Sequence, residues 1–67
     1  MNKREFRAHM ARNGDTNATL AKALGKSAAT VSCKANGRQH FTLPEMVVIA
    51  DRWKLNPEEA WSIFFTV

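Results

Sequence analysis

The chain has 67 residues, 45% of them hydrophobic, with a net charge of +4 and a pI near 9.9. That length makes one domain spanning 1–67, and the hydrophobic share is enough for a core, which excludes global disorder. The single cysteine, Cys33, excludes an internal disulfide and a cysteine-based zinc site, and no apolar run approaches the ~20 residues that cross a bilayer.

The start of the chain has no apolar stretch of the secretory kind, so the expected setting is soluble and cytoplasmic. Charge is unevenly spread. Residues 1–40 carry eight Lys or Arg against Glu5 and Asp15, a balance of +6, whereas residues 41–67 balance at −2. A basic front half suits a polyanion partner, although many proteins are mildly basic without one.

The spacing predicts a first helix over 2–13. Asn2 can cap it, Phe6 and Met10 form an apolar i, i+4 pair, and Asn13-Gly14-Asp15 ends it in a turn. A second helix is expected over 17–24, capped by Thr16, with Leu20, Ala21 and Leu24 facing inward. Gly25 follows where a left-handed backbone lets the chain reverse. Ser27 then caps a third helix over 28–36, whose inward residues are Val31 and Ala35, and Gly37 stops it.

Thr42-Leu-Pro-Glu45 reads as a capping box opening a fourth helix over 43–53, with Met46, Ile49, Ala50 and Trp53 as its buried stripe. Asn56-Pro57-Glu58-Glu59 opens a fifth over 57–64, with Leu55 and Ala60 set for a hydrophobic staple. No segment shows strand alternation, an internal repeat or a linker. The fold class is all-α, five helices in one domain.

Asn17 to Gly37 carries the functional signal, because two short helices broken by a glycine form the pattern of a helix-turn-helix. Alanine-rich helical hairpins share the spacing. The residues Leu20-Ala21, Leu24-Gly25, Ser27, Thr30-Val31-Ser32 and Asn36-Gly37 resemble the helix-turn-helix of the lambda-type Cro and repressor family. The likeness covers the whole chain, since one helix before the motif and two after it is the family's arrangement. A chain with no room for a second domain is more like Cro than a full repressor. The Thr-Leu-Pro-Glu entry and the Phe64-Phe65 ending resemble small regulators of Gram-positive phages and prophages, which would place the protein in a bacterial host's cytoplasm.

The resemblance implies a lambda-repressor-like domain that inserts helix 28–36 in the major groove of double-stranded DNA and regulates transcription, most simply as a repressor blocking a promoter. It implies base-facing roles for Ser27, Ala28, Ala29, Ser32 and Cys33. Asn17, Asn36 and Arg38 would hold phosphates, and Lys26 and Lys34 join them as phosphate-facing cations. The family often has long polar side chains where this sequence has Ala28 and Ala29. Alanine methyls can pack on thymine methyls but donate no hydrogen bond, so DNA shape, with Lys26, Gln39 and His40, would carry more of the specificity.

Lys34 departs from an apolar family position, and two readings stand. Its stem lies along the core edge with the ammonium on a phosphate, or it is a solvated lysine. Cys33 reads as a small groove-facing side chain, since a redox switch would have no partner thiol in the chain. His9 and His40 lack ligand spacing and read as solvated or phosphate-facing.

Trp53 and Trp61 read as core in preference to ligand platforms. Phe64 and Phe65 point about 100° apart on a helix, so at least one should be exposed to a symmetry mate. Trp61, Phe64 and Phe65 are thus candidate contacts of a homodimer that places two recognition helices ~34 Å apart. The other reading is a monomer with a frayed aromatic tail. No cofactor, metal or catalytic constellation is expected, and Glu58-Glu59 fit a helix N-terminus better than an active site. The alternative function is a modulator that docks on another repressor.

Overall fold

Each helix begins where a side chain replaces a missing acceptor for its third backbone N–H. In a computed structural model describing residues 1–66, the helices are α1 (Lys3–Arg12), α2 (Asn17–Leu24), α3 (Ala28–Ala35), α4 (Leu43–Arg52) and α5 (Pro57–Phe64). Their caps are Asn2, Thr16, Ser27, Thr42 and Asn56, accepting at 2.8–3.3 Å. Thr42/Glu45 and Asn56/Glu59 close reciprocal capping boxes, and Thr16/Thr19 forms a third that the sequence pattern does not announce. No strand occurs among the described residues. The predicted bounds differ by one residue at most, because the terminal residues of α1, α3 and α4 act as caps.

Gly25 ends α2 in the left-handed region, at φ 68° and ψ 30°, and its N–H returns to the carbonyls of Ala21 and Lys22. An L side chain is strained there, so the short connection Gly25-Lys26-Ser27 depends on glycine. The turn folds α3 back on α2, the most extensive helix pairing in the molecule. Around this pair, α1 packs on α3 and α5, and α4 packs on α2 and α5.

The core comprises Phe6, Leu20, Ala21, Val31, Ala35, Phe41, Ile49, Trp53, Ile63 and Phe64, with Leu24, Met46, Leu55 and Ala60 packed against it. Phe6 is its centre, its ring centroid 5.2 Å from Phe41, 5.2 Å from Trp53 and 6.4 Å from Phe64. Two expectations change here. His9 is buried, its ring stacked on Trp53 at 6.5 Å, because it shares the inward face of α1 with Phe6. Trp61 is 60% exposed instead of core, since Ile63 and Phe64 supply the inward face of α5.

A polar tie joins the α1–α2 turn to the end of α4. Asp15 accepts two hydrogen bonds from Arg52 at 2.7 and 2.8 Å, one from Trp53 Nε1 at 2.7 Å and one from Thr19 at 2.8 Å. The Arg52 bonds, with Trp53 and Thr19, outweigh burial and hold the Asp15 carboxyl well below the usual carboxylate range. A depressed acid stabilises the fold above its unfolded pKa of ~4 and loses that contribution as pH falls below it. Asp15→Ala leaves the buried Trp53 N–H without its acceptor and should cost about 1–3 kcal/mol at pH 7. Urea midpoints from pH 7 to 2 should fall less steeply for the variant than for the parent.

Candidate functional site

The outer face of α3 follows from its inner one. Val31, Lys34 and Ala35 are buried, so at about 100° per residue Ala28, Ala29, Ser32, Cys33 and Asn36 share an arc of about 140° turned outward. Ser27, Ala28, Ala29 and Asn36 are exposed, and Ser32 and Cys33 are partly so. Apart from Asn36, every side chain on this arc is small. The helix therefore presents a narrow ridge, closed on its inner side by α2.

One end of the ridge opens on a shallow cleft lined by Arg7, Met10, Asn17, Ser32, Ala35 and Asn36. It brings together Asn17, at the first turn of α2, and Asn36, the C-cap of α3. Arg7 of α1 donates from Nη2 to Asn36 Oδ1 at 2.5 Å, and Asn36 Nδ2 donates to Ser32 Oγ at 3.5 Å. Arg7 was absent from the sequence-derived site because its partner is 29 residues away. The usable signal was its charge, together with its place one turn from Lys3 and next to Phe6, which puts it on the rim of the core. Lys26 and Arg38 are exposed beyond the two ends of α3, with Gln39 and His40 following Arg38.

No protein-family model, curated protein or solved structure matches the chain.

Two sequence-predicted site residues are elsewhere. Lys34 does not face outward as a phosphate-facing cation or as a solvated lysine. It is 9% exposed, and its Nζ donates to Glu45 Oε1 at 2.6 Å, 5.9 Å from the Phe41 ring centre. The attraction of a carboxylate held at the first turn of α4 draws the ammonium inward. Burial raises the Glu45 pKa, but the Lys34 ammonium and the Thr42 N–H outweigh it and leave the carboxyl below its usual value. Phe64 is 7% exposed and stacks edge-on against Phe41 at 6.0 Å, so it belongs to the core and not to a dimer contact.

Phe65 is half exposed and stacks with Trp61 at 5.0 Å. On α4, Leu43 and Val47 are also exposed. Among the described residues no three His, Cys, Asp or Glu side chains converge as metal ligands, and no helix is long and apolar enough to cross a membrane.

Proposed function

We propose that the protein is a sequence-specific double-stranded DNA-binding regulator of the lambda-repressor-like type, with α2 and α3 as its helix-turn-helix. The observation that carries this reading is the narrow outward ridge of α3, with Lys26 beyond its first residue and Arg7, Asn17, Asn36 and Arg38 about its last. A groove ~12 Å wide admits a helix with small side chains, and cationic or amide groups at its two ends suit the phosphates on either bank. Repression by occluding a promoter needs no catalytic residue and no cofactor.

The described residues extend 28 × 22 × 21 Å. One domain is therefore shorter than a ~34 Å turn of DNA, and two half-sites one turn apart call for two copies. Trp61 and Phe65 are the candidate contacts of that homodimer. The same exposed pair favours a second reading, a modulator that docks on another repressor. The two are separated by whether a DNA sequence is enriched at all.

Phosphate contacts make binding salt-dependent, each adding about one unit to the slope of log affinity against log salt. Arg7→Ala and Arg38→Ala should each lower the slope by about 1 on a selected duplex, with affinity falling similarly on unrelated duplexes. Fluorescence anisotropy between ~50 and ~200 mM salt measures this. Slopes unchanged by both variants would remove these residues from the interface.

A further inference from the structure

The Ser27 and Thr30 hydroxyls near the start of α3 are bonded to each other. Ser27 Oγ accepts from the Thr30 backbone N–H at 3.1 Å and is bonded to Thr30 Oγ1 at 2.9 Å. Ser32 and Asn36 belong to the chain that begins at Arg7. Between these two networks the arc offers the Ala28 and Ala29 methyls and the Cys33 thiol, a weak donor. Docked recognition helices present their N-terminal residues to the base edges, and Cβ bonds tilt toward the N-terminus, so these methyls lead.

Resting on the reading of α3 as the groove helix, we infer that this surface recognises pyrimidine C5-methyl groups in the major groove. Thymine supplies that methyl in ordinary DNA, and 5-methylcytosine presents the same group at the same ring position. Ala28 and Ala29 are the specificity-determining residues. Ser32 Oγ accepts from Asn36 Nδ2 and keeps its own O–H to donate, so hydrogen-bond readout by Ser32 stands beside the methyl contacts. Regulation would then respond to cytosine C5 methylation within the site.

The test uses the wild-type protein and the tightest duplex selected at ~150 mM salt. Thymines are replaced one at a time by deoxyuridine, which removes only the methyl. One or two positions in each half-site should lose about fourfold in affinity, the transfer contribution of a buried methyl, and the remaining positions should be unaffected. At the sensitive positions a change to cytosine should weaken binding, and 5-methylcytosine should recover part of the loss. In Ala29→Gly, with helicity checked by circular dichroism, one of the deoxyuridine effects should disappear. Tight, selective binding with every deoxyuridine neutral would overturn the inference and leave the groove-helix reading intact. Failure to enrich any duplex would overturn both.

Discussion

Lys34→Ala should destabilise the domain by about 3–5 kcal/mol, the usual cost of leaving one partner of a buried ion pair alone. The pair is well sequestered, with Lys34 9% and Glu45 6% exposed. Glu45 Oε1 keeps the Thr42 N–H, but Oε2 is buried without a hydrogen-bond partner, so the carboxylate has little left once the ammonium is gone. A domain of this size has a total stability on the order of 3–10 kcal/mol, so the variant should be largely unfolded at modest urea. The pair is not thereby a net source of stability. Lys34→Met combined with Glu45→Gln removes both charges and keeps an acceptor for Thr42. It should lie within about 1 kcal/mol of the parent or above it. Urea unfolding of Lys34→Met, Glu45→Gln, the double variant and the parent gives the coupling directly. A Lys34→Ala variant as stable as the parent would mean that the ammonium is not buried against Glu45.

Phe6→Ala should cost a comparable 3–5 kcal/mol, for a different reason. Phe6 has no exposed surface, and its ring touches a cluster contributed by α1, α4, α5 and the α3–α4 loop. Truncation leaves a cavity at the one point where these elements meet, and neighbours anchored by five capped helices have little freedom to close it. Phe6→Leu should cost appreciably less, since it restores most of the volume. Phe65→Ala should change stability by no more than about 0.5 kcal/mol, because half of that ring already faces water. Thermal or urea melts of the three variants rank them. Equal losses at positions 6 and 65 would contradict the placement of the core.

The helices were legible because their signals are local. A cap lies within three residues of the N–H it serves, and the inward stripes of α2, α3 and α4 repeat within one or two turns. Gly25 announced its turn through backbone geometry alone. The features that sequence reading missed or misplaced depend on distant partners. Lys34 goes inward for a carboxylate 11 residues away, and Arg7 meets Asn36 across 29. Phe41 is core although it sits in a loop, where no periodicity marks it. His9 is covered by Trp53 of another element, and on α5 the choice between Trp61 and Phe64 is set by the angle at which the helix docks. At the candidate site, the outward arc of α3 could be read from its own periodicity. The cleft could not, since α1, α2 and α3 each contribute to it.

The most direct test of DNA recognition is selection from a randomised duplex library at ~150 mM salt, where non-specific attraction of a basic protein is weak. The reading of α2 and α3 as a helix-turn-helix predicts one enriched motif, a palindrome whose half-site centres lie about one helical turn apart, with enrichment reduced by Arg38→Ala and Ser32→Ala. A folded protein that enriches no sequence would contradict it and turn attention to the exposed Trp61 and Phe65 as a protein-docking surface.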